Sequence, residues 1–121
     1  MTLFETLFVA HILGDWLFQT EWMAENKNKK ISAMIVHLII YHIFILAALR
    51  WKIGFEDLSI YFVLLIMIAV HTLLDLRWTV ETLIKALRIN VKREPDKWLN
   101  IAIDQALHII LLAVVSVYYS I

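Results

Sequence analysis

Long apolar segments separated by short polar connections dominate this chain, and their alternation predicts its elements. Each segment has about 20 residues, the length at which an α-helix crosses the hydrocarbon core of a membrane. None shows the strict alternation of apolar and polar residues that marks a membrane β-strand. Backbone groups in lipid must be satisfied within their own segment, so the pattern predicts helices. The four predicted spans are residues 3–23, 31–51, 58–76 and 98–121.

The connections carry most of the charged residues, and the third connection differs from the other two. The first two are short polar turns. In the third, apolar residues recur at helical spacing with basic residues on the other faces, which predicts a basic amphipathic helix on the headgroup surface. Pro95 is expected to close this helix and Asp96 to cap the last span. The apolar positions are Val80, Leu83, Ile84, Leu87 and Val91.

Composition supports a membrane protein with a single domain. Hydrophobic residues make up 62% of the 121 residues and mean hydropathy is +0.77, above the roughly half apolar content of soluble domains. The first segment has neither a basic leading region nor a small-residue cleavage site, so we interpret it as a retained span and not a signal peptide. We therefore predict an all-α integral membrane bundle of four transmembrane helices, with residues 1–121 forming one transmembrane domain.

The distribution of Lys and Arg predicts the orientation of the bundle. The first and third connections together carry nine of the eleven basic residues, whereas the second has only Arg50 and Lys52 nearby. By the positive-inside rule, the first and third connections face the cytoplasm and both termini lie outside. The expected location is the bacterial inner (cytoplasmic) membrane.

Ionisable residues inside the spans form the candidate functional site. Three spans each carry a His and an Asp four residues apart, about one helical turn, so both side chains project from the same face. Chance placement would give about 0.4 such pairs. Ionisable residues in spans are costly and usually face a bundle interior. The pairs are His11 with Asp15, His71 with Asp75, and Asp104 with His108.

The predicted orientation places the three pairs in one layer. In each pair the Asp lies toward the cytoplasm and the His lies deeper, because the reversed order in the last span matches its opposite direction. At about 1.5 Å per residue, the pairs lie roughly 3 to 16 Å from their cytoplasmic ends. His37, about 9 Å from the start of the second span, belongs to the same layer. One site built from four spans is the prediction.

Imidazoles and carboxylates without any cysteine suit a divalent metal ion, with Zn preferred and Mn, Fe, Co or Ni compatible. The candidates exceed one tetrahedral shell, so either two ions are held or some Asp side chains orient the His rings. Gln19, Asn100 and Gln105 are candidates for that outer shell, Tyr41 lies one turn from His37, and Gly14 would allow close helix approach. The candidate ligands are His11, Asp15, His37, His71, Asp75, Asp104 and His108.

Three functions are compatible with such a site. The leading prediction is metal-dependent hydrolysis, in which the metal activates water and one of Asp15, Asp75 and Asp104 acts as general base. A lipid or lipid-linked phosphate is the expected substrate, since the site opens near headgroup level beside a basic helix. The alternatives are a metal-ion or proton carrier, for which a homo-oligomer would be needed, and a structural network without catalysis. His42 is interpreted as structural, and nothing suggests a nucleic-acid partner.

At these residues the chain resembles a bacterial and phage family of small membrane proteins known as domain of unknown function 3307. The family pattern is His-x2-Gly-Asp-x3-Gln in the first span, His-x3-Tyr in the second, His-x3-Asp in the third and Asp-Gln-x2-His in the last. The resemblance covers nearly the whole chain and supports the fold and the site, but it implies no activity. A weaker likeness exists to membrane-bound metal-dependent hydrolases with His-x3-Asp in their spans. The matching residues are His11, Gly14, Asp15 and Gln19, His37 and Tyr41, His71 and Asp75, and Asp104, Gln105 and His108.

Overall fold

Helices form the regular secondary structure of the protein in a computed structural model, which describes residues 1–27, 29–87 and 97–119. No strand occurs within these ranges, so the all-α prediction is confirmed. The elements in chain order are α1 (Leu3–Ile12), continued by a π-helical turn (Leu13–Leu17), then α2 (Glu21–Asn26), α3 (Ile31–Ile53), α4 (Ser59–Asp75), α5 (Arg77–Leu87) and α6 (Lys97–Tyr119).

The first predicted span is divided between two helices. Thr2 and Glu5 form a capping box that starts α1. The π-helical turn at its other end is closed by the Phe18 N–H, which donates to the Leu13 carbonyl at 2.9 Å. The chain then leaves the helix, and the Thr20 side chain caps α2. The continuous helical part is therefore about 22 Å long, shorter than a hydrocarbon core of about 30 Å.

Two helices are long and apolar enough to cross a membrane, Ile31–Ile53 and Leu99–Tyr119. The helix α4 has 17 residues and reaches that length only together with α5, from which it is bent by 68°. The bend occurs at Leu76, whose extended backbone (ψ 124°) interrupts the helix. The described residues thus contain two candidate spans, or three if α4 and α5 form one. The predicted set of four is not confirmed, because the first helical segment ends at Leu17 and α4 has only 17 residues.

A common interior lies between α1, α3, α4 and α6, which are called the long helices below although α1 is continued by the π-helical turn. Helix α1 packs against α3 and α6, and α4 packs against the same two helices. At the end where α1 begins and α3 finishes, this interior is filled by apolar side chains without any exposed surface. They include Leu3, Leu7, Ile45, Leu49 and Leu112. The opposite end, where α1 and α4 finish and α3 and α6 begin, is called the polar end below.

The outward faces of the long helices are apolar and exposed. Soluble monomers rarely expose continuous apolar surface beyond a few hundred Å². These faces, together with the two candidate spans, give the chain the character of a membrane protein. Exposed residues on α3, α4 and α6 include Ile35, Ile39, Ile43, Phe62, Leu65, Ile66, Ile110 and Val114.

The predicted amphipathic helix is present in part as α5, which ends at Leu87. Its predicted apolar position Val91 lies outside the described residues. Its residues Val80 and Ile84 are 6% and 2% exposed, so they form the face that packs against the rest of the protein. This helix contacts α4 and α6 at the polar end. The predicted stop at Pro95 and cap at Asp96 lie outside the described residues.

Gly14 lies in the π-helical turn where this turn closely approaches α3, and the sequence predicted a close helix approach at this residue. A Cβ atom at Gly14 would lie 2.9 Å from the Tyr41 Cα and 3.1 Å from its ring atom Cδ2. Backbone cannot move aside as a flexible side chain can. The absence of a side chain at Gly14 therefore sets the separation of these two helices.

Substitution of Gly14 by Ala is expected to force α1 away from α3 and to destabilise the protein by about 1–3 kcal/mol, the range for overpacked sites. Thermal unfolding in mild detergent measures the change. Ala47→Val is the control, because Ala47 is exposed on α3 and its side chain can grow without a clash. Equal stability of Gly14→Ala and the parent would show that the close approach is not needed.

Candidate metal centre

Five of the seven predicted ligands form two groups at the polar end. Within each group, one ligand atom from each residue lies within 4.8 Å of the others, and all the residues are buried. The π-helical turn, α3, α4 and α6 each contribute to this arrangement. The first group is Asp15, His37 and His71, and the second is His71, Asp75 and His108.

The Asp75 carboxylate lies between the His side chains. Its Oδ2 atom is 2.9 Å from the His37 Nε2 and 2.9 Å from the His71 Nε2. These two nitrogens are 3.2 Å apart, and the Asp15 Oδ1 lies 3.4 Å from the His37 Nε2. Ligand atoms bound to Zn at about 2.0–2.1 Å in a tetrahedron are about 3.3–3.4 Å apart. The spacing of the His37 Nε2, the His71 Nε2 and the Asp75 Oδ2 is therefore compatible with ligation of one ion, and Asp15 lies beside His37.

The orientation of His108 is fixed from its own helix. Its Nδ1–H donates to the Asp104 carbonyl at 2.7 Å, and a carbonyl can only accept. In the neutral ring, the Nε2 atom then carries a lone pair. This Nε2 lies 3.3 Å from the Asp75 Oδ1, which is also an acceptor. Two acceptors at this distance repel unless a metal ion or a proton lies between them.

Several buried polar atoms of the centre have no hydrogen-bond partner within the described part of the chain. Such atoms are rare in folded proteins, because each one loses its bonds to water without replacement. Their concentration at one place indicates that the centre has unused capacity for a ligand. They are Asp15 Oδ1, His37 Nδ1, His71 Nδ1, Asp75 Oδ1 and His108 Nε2.

His11 belongs to neither group, and both of its ring nitrogens are hydrogen-bonded. Its Nε2 lies 2.8 Å from the Gln105 Oε1, and its Nδ1 lies 2.9 Å from the Tyr41 hydroxyl. An amide oxygen only accepts, so His11 donates through Nε2 and, when neutral, accepts the Tyr41 proton at Nδ1. The predicted ligand His11 is therefore placed as a supporting residue beside Asp15.

Gln105 connects the carboxylates at the edge of the centre. Its Nε2 donates to the Asp15 Oδ2 at 2.8 Å and to the Asp104 Oδ2 at 3.3 Å. Its Oε1 accepts from His11 and also from the Trp16 indole N–H at 3.0 Å. Gln105 thus contacts Asp15, one of the predicted ligands, and its outer-shell role stays a prediction. Asp104 lies outside both ligand groups, and its side chain is 22% exposed.

An open cavity of about 900 Å³ leads from the polar end to this edge of the centre. Asp15 belongs both to the cavity wall and to the first ligand group, so the cavity reaches the centre through it. The two other predicted outer-shell amides, Gln19 and Asn100, each have a buried oxygen without a hydrogen-bond partner among the described residues. The wall consists of Asp15, Trp16, Gln19, Ala24, Glu25, Asn26, Lys27, Lys29, Ile101, Asp104 and Gln105.

Lys27 is the residue of the centre that sequence reasoning missed. It was interpreted only as a positive charge in a connection, yet its Nζ lies 3.6 Å from the Asp75 Oδ1 and its side chain is 15% exposed. Helical spacing reveals contacts within one helix and carries no signal for a contact between residues 48 positions apart. His42, interpreted as structural, donates from Nδ1 to the Leu38 carbonyl at 2.8 Å and belongs to neither ligand group.

Comparison with known proteins gives one match. No curated protein and no solved structure matches the chain. A protein family described as protein of unknown function (DUF3307) matches over residues 3–121, nearly the whole chain, which confirms the resemblance seen in the sequence motifs. The chain therefore belongs to this family.

Proposed function

We propose that this protein is a membrane-embedded, metal-dependent hydrolase whose centre binds a divalent transition metal ion. The observation that carries the proposal is the convergence of three buried ligand atoms, the His37 Nε2, the His71 Nε2 and the Asp75 Oδ2, at 2.9 to 3.2 Å from one another. His nitrogens with carboxylate oxygens at this spacing are typical ligands of such an ion.

The donor set favours Zn, and it also suits Mn, Fe, Co or Ni. His37 and His71 each offer an imidazole nitrogen, and Asp15 and Asp75 each offer a carboxylate oxygen. Mixed nitrogen and oxygen ligands at tetrahedral spacing are preferred by Zn, whereas Mg prefers six oxygens. A divalent ion held here would activate a water molecule near neutral pH.

Asp104 is the carboxylate best placed to accept a proton during hydrolysis. Its side chain is 22% exposed and lines the cavity, whereas the side chains of Asp15 and Asp75 are 2% and 0% exposed. A general base has to reach the water that enters with the substrate. In this proposal, Asp15 and Asp75 bind the metal ion, and Asp104 takes the proton at the cavity wall.

We infer a lipid or lipid-linked phosphate as the substrate class. The cavity opens at the polar end, next to the connection that carries Lys27 and Lys29, and those ammonium groups suit an anionic headgroup. The exposed apolar face of α3 begins at the same end with Ile31, which is 80% exposed. In this proposal α1, α3, α4 and α6 all cross the membrane. The apolar tail of the substrate then lies in the bilayer, and its polar headgroup lies in the cavity.

Transport of metal ions or protons is less well supported by the geometry. A path across the protein would have to continue from the centre to the opposite end, but that half of the interior is filled by apolar side chains. Leu7, Ile45 and Leu112 there have no exposed surface. Moving an ion through this region would require separation of the helices, whereas hydrolysis requires only the existing cavity.

Metal content tests the central claim. The parent protein, purified in mild detergent without chelator, is expected to contain Zn or a related ion, and Asp75→Asn is expected to lose it, because Asp75 contacts every His of the two ligand groups. Elemental analysis after desalting gives the result. Asp57→Asn, an exposed carboxylate in the α3–α4 connection, is the control. A parent protein without metal, even after reconstitution with Zn, would refute the proposal.

The outer shell makes a second prediction. Gln105→Leu removes the hydrogen bond that orients Asp15, and loss of such a partner weakens metal affinity about 10- to 100-fold. Competition with a fluorescent Zn chelator measures the affinity. The matched control is Gln19→Leu, since Gln19 lines the same cavity and its side-chain oxygen has no hydrogen-bond partner among the described residues. An affinity of Gln105→Leu equal to that of the parent would show that Gln105 does not support the centre.

The role of Asp104 makes a third prediction. Asp104→Asn is expected to keep the metal ion but to lower turnover about 10²- to 10⁴-fold, the usual contribution of a general base. Hydrolysis of p-nitrophenyl phosphate, bis-p-nitrophenyl phosphate and anionic phospholipid vesicles provides the assay. Glu25→Gln is the control, because Glu25 lines the cavity without a contact to the ligand groups. Turnover of Asp104→Asn equal to that of the parent would show that another residue is the general base.

A further inference from the structure

We propose that this protein binds one metal ion and not two, because the Lys27 ammonium lies beside Asp75 where a second ion would bind. This inference rests on the proposed metal centre and determines how many ions that centre holds. It assigns Lys27 the role of a positioning residue, which acts through Asp75.

The two oxygens of Asp75 have different surroundings. Oδ2 lies beside the His37 and His71 nitrogens at 2.9 Å each. Oδ1 lies 3.3 Å from the His108 Nε2 and 3.6 Å from the Lys27 Nζ. A carboxylate with ligands at both oxygens is the usual bridge between two metal ions about 3.5–4 Å apart. In this protein Oδ2 faces the ligands of one ion, and an ammonium group lies 3.6 Å from Oδ1, on the side where a second ion would bind.

Without Lys27, the second position would be a metal site. His71, Asp75 and His108 offer ligand atoms within 4.8 Å of one another, and Asp104 lies beside His108. The His108 Nε2 and the Asp75 Oδ1 are among the atoms without a hydrogen-bond partner in the described residues. With His71 assigned to the first ion, a second ion would be held by the His108 Nε2 and the Asp75 Oδ1, with water completing its shell. The geometry of these ligands alone therefore does not limit the centre to one ion.

Charge balance favours one ion. Asp15, Asp75 and Asp104 supply three negative charges in a region with little exposure. One divalent ion together with the Lys27 ammonium compensates these charges when the His side chains are neutral. A second divalent ion beside the ammonium would leave two positive charges in excess, and uncompensated charge is strongly unfavourable in a buried site.

The backbone keeps Lys27 at this place. It follows α2 directly, and its N–H donates to the Met23 carbonyl at 2.9 Å. Met23 is 1% exposed, so α2 is held against the protein by a buried side chain. The Lys27 side chain then reaches from α2 to the end of α4. The connection between the first two predicted spans thus places a cation beside the centre.

Metal stoichiometry tests the inference. Metal-free protein is titrated with Zn and with Co, and the bound ions are counted by elemental analysis after desalting. The parent and Lys27→Arg, which retains the positive charge, are expected to bind one equivalent. Lys27→Met, of similar length but neutral, is expected to bind two, the second at least about tenfold more tightly than the parent binds a second ion. Lys27→Gln provides a repeat if the Met variant fails to fold.

Lys29→Met is the matched control. Lys29 is in the same connection and lines the same cavity, and it makes no ion pair within the described residues. It is expected to bind one equivalent, like the parent. Two equivalents in the parent, or one in both neutral Lys27 variants, would overturn the inference while leaving the metal centre intact. No metal in any variant would instead refute the proposed function, and with it this inference.

Discussion

The compensation of buried charge is the constraint on which the rest of this structure depends. Asp15 and Asp75 lie almost without exposure among helices whose outward faces are apolar, and neither carboxylate finds enough donors in its own helix. In such surroundings an ion without a partner is unfavourable by several kcal/mol. Around these carboxylates the fold brings together His side chains from three helices, the Gln105 amide and the Lys27 ammonium group. A bound divalent ion is the proposed completion of this arrangement.

The interior of the fold has an apolar half that stabilises the helix packing and a polar half that contains the candidate centre. Apolar side chains fill one end of the space between α1, α3, α4 and α6 and hold these helices together. The other end contains the polar centre and the open cavity that reaches it. Because the apolar half is closely packed, the positions of the ligands are set by rigid helices. The helix contact at Gly14 adds to this, since it brings Tyr41 close enough to bond His11.

The π-helical turn at Leu13–Leu17 shows how local distortion serves the centre. One extra residue in this turn shifts the side chains that follow it relative to those of α1, and Asp15 lies within it. Distortions of this kind are frequent at functional sites, because they direct a side chain where a regular helix would not. Here His11 and Asp15 do not act as a simple pair: their closest atoms are 4.0 Å apart, and Asp15 approaches His37 while His11 bonds Gln105.

The sequence by itself determined the helical class, the membrane character and the residues that gather at the polar end, because hydrophobic length and His/Asp spacing are local properties of a helix. It also indicated Gly14 as a point of close helix approach and Gln105 as a partner of the candidate ligands. It could not reveal that the first helical segment ends at Leu17 or that α4 and α5 are bent by 68°, since the π-helical turn and the bend depend on packing against other helices. Nor could it separate the ligand groups from His11 or bring Lys27 to Asp75. Those assignments depend on how helices rotate and approach one another, and only the tertiary structure decided them.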